Sequence, residues 1–303
     1  MNPKVAVIGT GRMGSALATA LSARGFATTV WNRTTAKAEP LSRVGVRIAP
    51  GVLDAIVQAD IIILNITNYE STRKLLGTPE LESALRGKVL VQLTTGTPDD
   101  ARQMQSWAQP LGIDYLDGAI ISYPVDIGKP QSIVLYSGPE EIFHRIKPVL
   151  LAFGDGATFV GNEIGNASAQ DMVILAFVMG TMFSLLQGYA VYEAENLPVE
   201  GFMPFIRSLM PAMEAALSGL ITTIHAKDYD NTQATLDVWA ACPRELKKWC
   251  SDHRVDHRLV DPQISLMDEA IKNGKGHADF AYLYELLRRV RTDPSGRVSA
   301  PQK

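Results

Sequence analysis

The chain is poor in cysteine, in histidine and in net charge. Its two cysteines, Cys242 and Cys250, are too few for a disulfide framework and lack the Cys-x-x-Cys spacing of a zinc site. A reducing compartment suits them, and the cytoplasm is the expected location. Among five histidines there is one close pair, His253 and His257, spaced as metal ligands on a helix face are. Arg254 and Arg258 stand beside them and no His-Glu-x-x-His surrounds them, so a solvated face is expected and no metal. A net charge of −3 gives no electrostatic reason to expect nucleic acid or an anionic membrane surface as a partner. No secretory leader is expected, because Met1-Asn2-Pro3-Lys4 runs directly into a β-rich stretch. One apolar stretch, Met172 to Val191, has the length of a membrane span. Gly180, Gln187, Gly188 and several hydroxyls interrupt it and no basic flank follows, so burial in protein is expected rather than in lipid.

What is present is an ordinary globular composition, 46% apolar and 20% charged, over 303 residues, enough for two domains. Short β-branched runs alternate with helical stretches through residues 1–162. The expected strands are Val5–Ile8, Thr28–Trp31, Val46–Ile48, Asp60–Leu64, Val89–Leu93, Asp114–Asp117 and Ile133–Ser137. Helices are expected over Met13–Arg24, Thr35–Val44 and Gly51–Gln58. The Ile run at 61–63 suits a strand covered on both faces. The pattern predicts an α/β fold with a doubly wound parallel sheet of the Rossmann type. After about residue 160 the character changes. A long interdomain helix is expected over 163–196, followed by an all-α domain to 303 punctuated by Pro198, Pro211, Pro243 and Pro262. The polar tail after Thr292 reads as disordered. A long apolar helix is hard to bury within one small helical domain, so a homodimer is expected.

Gly9-Thr10-Gly11-Arg12-Met13-Gly14 fits GxGxxG between the first strand and the first helix, the context that marks a dinucleotide loop. Gly9 permits the turn, Gly11 lets backbone approach a pyrophosphate, and Gly14 lets helix and strand pack closely. The helix N-terminus offers free N–H groups to phosphate. At the end of the second strand, where NAD-selective sites place an acid, the chain has Asn32, then Arg33 and Thr34, with Lys37 one turn on. Guanidinium, hydroxyl and ammonium groups suit a 2′-phosphate dianion, so NADPH is the expected cofactor.

Those motifs, with Leu93-Thr94-Thr95-Gly96-Thr97-Pro98, Asp117-Gly118-Ala119-Ile120, Ser122-Tyr123-Pro124 and the stretch from Gly165 to Asp171, resemble the β-hydroxyacid dehydrogenase superfamily. Within it the chain resembles the imine reductases and reductive aminases. In the hydroxyacid dehydrogenases a catalytic lysine stands where this chain has Asp171, and paired asparagines where it has Ile174 and Leu175. An iminium ion is repelled by lysine and attracted by aspartate. Two unit charges about 4 Å apart interact by roughly 4 kcal/mol at an effective dielectric near 20. A buried Asp171 with a raised pKa would alternatively donate a proton to a neutral imine, and both roles stay open. So does a plain helix-capping role.

The resemblance implies that Asn65, Ile66 and Thr95 border the cofactor and that Ser122 lines the substrate site. It implies apolar pocket walls at Leu175 and Met179, which share a helix face with Asp171, and at Met210, Val238 and Trp239, supplied by a partner subunit in a domain-swapped dimer. Met179 stands where reductive aminases carry Tyr, which leaves the amination of free ketones open. The implied activity is NADPH-dependent reduction of a cyclic imine or iminium to an amine. A β-hydroxyacid or aldehyde oxidoreductase and a non-catalytic NADPH-binding protein are the alternatives.

Overall fold

The computed structural model describes residues 2–288. The first part alternates β1 (Val5–Ile8), α1 (Arg12–Ala23), β2 (Thr28–Trp31), β3 (Arg47–Ile48), α2 (Val52–Val57) and β4 (Ile61–Leu64). There follow α3 (Tyr69–Leu76), α4 (Pro79–Leu85), β5 (Val89–Gln92), α5 (Pro98–Ala108), β6 (Asp114–Ile120), β7 (Ile133–Ser137), α6 (Glu140–Leu150) and β8 (Gly156–Phe159). All eight strands join one sheet in the order β3-β2-β1-β4-β5-β6-β7-β8. Every residue of β1, β4 and β5 is buried, because the sheet is covered on both faces. Val5, Val7, Ile61, Ile63, Val89 and Val91 pack with Leu17 and Leu21 of α1 and Ile146 and Leu150 of α6. Ala6, Ile8, Ile62, Leu64 and Leu90 face Ile56, Leu85 and Met104 from α2, α4 and α5. The alternation along each strand follows from the two-residue period of a pleated chain.

Three expectations need correction. The sheet is not wholly parallel, since β7 pairs antiparallel with β6. β6 runs on to Ile120, and the chain returns through a link holding only the short 3₁₀ turn Pro124–Asp126. An antiparallel return needs no crossover helix. Second, Thr35–Val44 is not an α-helix but two short 3₁₀ turns, Thr35–Lys37 and Glu39–Val44. Pro40 would sit in the interior of a continuous helix, without an N–H and against the preceding turn. Third, Pro211 and Pro243 do not end helices. Together with Pro204 they lie inside α8 (Val199–Ala226) and α9 (Leu236–Asp252). Pro198 stands at the N-cap of α8, and Pro262 lies in the first turn of α10 (Asp261–Ala270).

The long helix is α7, Asn166–Ala194. One compact unit runs from the N-terminus to Phe177 and a second begins at Val178, so the division falls inside this helix. Its mean hydropathy of 1.7 over 18 residues would suit a membrane span by length and composition. Within its own chain α7 is not the buried helix that its composition suggests. Its buried residues are Ala167, Ser168 and Asp171 near the start, while Val173, Phe177, Met179, Phe183 and Leu186 are exposed. The second unit adds α8, and α9, α10 and α11 (Leu283–Leu287) with a small core of Leu236, Ala240, Met267, Ala270, Ala278 and Leu283. The tail after Thr292 lies outside the described residues.

Because Ile63 is fully buried at the centre of the sheet, Ile63→Ala should lower stability by about 2–5 kcal/mol. Val57→Ala, at a position 57% exposed, should change it by no more than about 0.5 kcal/mol. Paired urea denaturation curves read by tryptophan fluorescence check the contrast; equal midpoints would contradict the assigned core.

Candidate functional site

β1 lies between β2 and β4, so the chain's crossovers leave β1 in opposite directions and open a crevice beyond its carboxyl end. The glycine loop fills that point. Gly9 has φ +102°, and a Cβ on it would lie 2.1 Å from the Asn65 carbonyl oxygen at the end of β4. A Cβ on Gly14 would lie 2.0 Å from the Gly9 carbonyl oxygen. These two glycines hold strand, helix and neighbouring strand together. Gly11 differs: nothing stands within 4 Å of its would-be Cβ. It is the N-cap of α1 and contributes no capping side chain, so the first N–H groups of the helix face open space.

The crevice is a cleft of about 660 Å³ lined by Gly9, Gly11, Arg12, Met13, Asn32, Arg33, Thr34, Lys37, Asn65 and Ile66. Ten of the expected cofactor positions therefore come together. Three do not line it, Thr10, Gly14 and Thr95: the Thr10 side chain is buried, with its Oγ1 unpartnered, and Thr95 is exposed outside the lining. Gly14 acts through packing alone. Trp31, Thr67, Ser71, Lys74 and Leu75 complete the wall and were not expected from the sequence. A signal for them was present in Asn68, whose side chain caps α3 by accepting from the Ser71 N–H at 2.8 Å.

Asn32 has a more local duty than the sequence implied. Its Oδ1 accepts from the Thr10 N–H at 3.0 Å, and its Nδ2 donates to the Thr34 carbonyl at 2.9 Å. It thus clamps the glycine loop to the end of β2. An aspartate would keep the first bond and lose the second. Across the crevice Asn65 donates to the Leu93 carbonyl at 2.7 Å, and the Ile66 N–H donates to Thr94 Oγ1 at 3.1 Å. Thr94 then donates to Gln92 at the end of β5, and Gln92 to Thr72 on α3, all three buried. This ladder holds the exit of β4 in place.

Asp171 is 7% exposed. It lies past the first turn of α7, which starts at Asn166, so it is not the helix cap. Burial pushes its carboxyl above the usual carboxylate range, and the negative charge of Asp117 adds to the rise. Asp117, on β6, is fully buried. Its Oδ1 accepts from the Tyr69 hydroxyl at 2.9 Å, and its Oδ2 from the Ser168 N–H at 3.2 Å and the Ser137 hydroxyl at 3.3 Å. The Ser168 hydroxyl lies 3.0 Å from both oxygens. Burial raises the Asp117 pKa while these hydrogen bonds oppose the rise. The Tyr69 phenol is pushed far above its usual value by burial and by the neighbouring carboxylate. Tyr69, Asp117 and Ser168 were not singled out as site residues. The sequence carries their types but not the contact across 48 and 51 residues.

The expected substrate-pocket residues fall in both units. Ser122 is partly buried, and its hydroxyl accepts from the Ile133 N–H at 2.9 Å, joining the loop after β6 to β7. Leu175 lies on α7, one turn after Asp171, and is 38% exposed. In the second unit Met179, Met210, Val238 and Trp239 are all exposed, with Trp239 edge-on to Phe280 at 5.7 Å between centroids. Of the histidines set aside, His253 stacks on Trp249 and His257 pairs with Asp261.

Comparison with known proteins agrees with this geometry. Residues 4–161 match the family model described as the NAD binding domain of 6-phosphogluconate dehydrogenase. Residues 163–289 match the NADPH-dependent reductive aminase-like C-terminal domain. The imine reductase of Myxococcus stipitatus, solved in complex with NADP+, is 39% identical, with a TM-score of 0.88 over 94% of this chain and 100% of that one. The reductive aminase of Aspergillus terreus, solved with NADPH and ethyl levulinate, is 28% identical, with a TM-score of 0.87 over 95% of this chain and 100% of that one. The NADPH-dependent reductive aminase of Aspergillus oryzae is 29% identical over 95% of this chain and 98% of its own length. On these matches, over both halves of the sequence, the chain belongs to the imine reductase and reductive aminase family.

Proposed function

We propose that this protein is an NADPH-dependent imine reductase that reduces the C=N bond of a cyclic imine or iminium to an amine, and that it works as a cytoplasmic homodimer. The observation that carries the reading is the pairing of a dinucleotide crevice with Asp171, a buried acid where the hydroxyacid dehydrogenases hold lysine. The crevice suits the cofactor on its own terms. Gly11 leaves room where a pyrophosphate would approach, and the start of α1 is free to receive it. Arg33, Thr34 and Lys37 supply cations and a hydroxyl at the end of β2 for a 2′-phosphate. Bound there, NADPH supplies the hydride.

The chain's own residues do the rest. The glycine loop, Asn65 and Ile66 orient the cofactor by backbone contact. Asp171 holds a proton and gives it to the imine nitrogen, which leaves as an amine. The raised affinity of its carboxyl for a proton supports donation over a purely electrostatic role. The absence of lysine at this place removes the proton-transfer partner of a carbinol oxygen and disfavours oxidation of a hydroxyacid. The exposed apolar residues of α7, Phe177, Phe183 and Leu186 among them, support burial against a second copy. The cytoplasmic reading rests on free Cys242 and Cys250.

The reaction is tested by following NADPH absorbance with a small cyclic imine and, separately, with a β-hydroxyacid plus NADP+; turnover of the hydroxyacid alone would overturn the reading. Asp171→Ala should lower kcat for imine reduction by about tenfold or more. A protonated Asp171 is the active form, so kcat/KM with a neutral imine should be flat at low pH and fall as pH rises through its raised pKa. A rise over that interval would assign the anion instead. Arg33→Ala should raise KM for NADPH about tenfold or more and leave KM for NADH within about twofold. Light scattering should give twice the chain mass at micromolar concentration, and Leu186→Glu should shift it toward the monomer.

A further inference from the structure

Ser168 lies three residues before Asp171, on the same face of α7. Its N–H and hydroxyl both point at Asp117, as do the Tyr69 hydroxyl from α3 and the Ser137 hydroxyl from β7. Ser137 also accepts from the Ala167 N–H at 3.1 Å, so two successive amides of the first turn of α7 are tied to the sheet. Tyr69 is fixed in turn, because a Cβ on Gly96 would meet its ring at 2.4 Å. Four donor groups therefore converge on one carboxylate from three elements. Such a set favours the charged form. Asp171 is the opposite case: it is buried, and neither a hydrogen-bond donor nor a cation among the described residues offsets that burial. Burial lifts both carboxyls, and only Asp117 has donors that oppose the lift, so of the two it is the one favoured to carry the charge.

We propose that Asp117 is a positioning residue for Asp171: its carboxylate anchors the first turn of α7 to the sheet and keeps a fixed negative charge beside Asp171, which holds the proton there. The inference rests on Asp171 being the acid of the proposed reaction. The titratable groups facing the pair are Tyr69 from α3 and Tyr115, two residues before Asp117 on β6. Both phenols are driven upward by burial and stay neutral across the working range, so neither cancels the charge. Raising the proton affinity of Asp171 by a neighbouring charge leaves the acid protonated at higher pH than burial alone would.

The test separates this inference from the catalytic role. The Asp171 carboxyl of the full chain is titrated by ¹³C NMR, with Asp171→Asn identifying its signal, alongside the pH profile of kcat/KM for a neutral imine. In Asp117→Asn the Asp171 midpoint should fall by about one pH unit. In Ser168→Ala, which removes one donor and keeps the carboxylate, it should fall by less. If Asp117→Asn does not fold, Ser168→Ala carries the test. An unmoved NMR midpoint in the folded variants overturns the inference. A midpoint that moves while the activity limb stays put upholds it and removes Asp171 from the role of acid.

Discussion

The structure depends on how closely three backbone segments meet at the end of β1. The carbonyls of Gly9 and Asn65 occupy the places where side chains of Gly9 and Gly14 would begin, at 2.0–2.1 Å from an added Cβ. Any other residue would push α1 off the sheet or β4 away from β1. Their contact closes one side of the loop and leaves the Gly11 side open. The same constraint therefore creates the core junction and the anion site, with the helix N-terminus aimed at the space that the missing side chain leaves. Asn32 and the Asn65–Leu93 bond fix the two flanking strands to this junction. These part-buried polar contacts hold both flanks of the crevice to the sheet.

A second tie brings the chemistry within range of the sheet. Helix α7 is apolar and mostly exposed, so it has little burial of its own to fix it within the first unit. What fixes its start is polar: the Ser168 and Ala167 amides bonded to Asp117 and Ser137. A buried carboxylate is costly unless its acceptors are filled, and here the donors that fill them come from three other elements, α3, β7 and α7. Loss of any one would leave a charge underpaired, so the arrangement is specific for one setting of the helix. Asp171 rides one turn further along and inherits that setting.

The sheet, the glycine loop and the long helix were legible in the sequence because each is written in a local period or a contiguous motif. The Ile run of β4 and the GxGxxG of the loop are examples. The failures have local causes as well. Pro40 broke a stretch that read as helix, and Pro211 and Pro243 did not break theirs. The antiparallel β7 was hidden because strand direction depends on the connection, not on the strand's own residues. At the site the cations that line the crevice, Arg33 and Lys37, were readable and the Tyr69–Asp117–Ser168 set was not. Asp117 sits in a strand where its neighbours are apolar, and only the folded register brings Tyr69 and Ser168 to it.

The difference between a lysine and an aspartate at the start of α7 reaches beyond one side chain. A lysine ammonium beside Asp117 would form an ion pair, and the carboxylate would then stabilise the charged form of the base. With aspartate at 171 the same carboxylate has the reverse effect: like charges resist joint ionisation, so Asp117 adds to the rise that burial already gives the Asp171 carboxyl. One buried acid on β6 can thus serve either chemistry, by pairing with a cation or by repelling an anion. The direction of proton transfer follows from the residue placed opposite it. On the proposed reading the residue at 171 sets the proton transfer, while Asp117 stays bonded to the first turn of the helix that carries it.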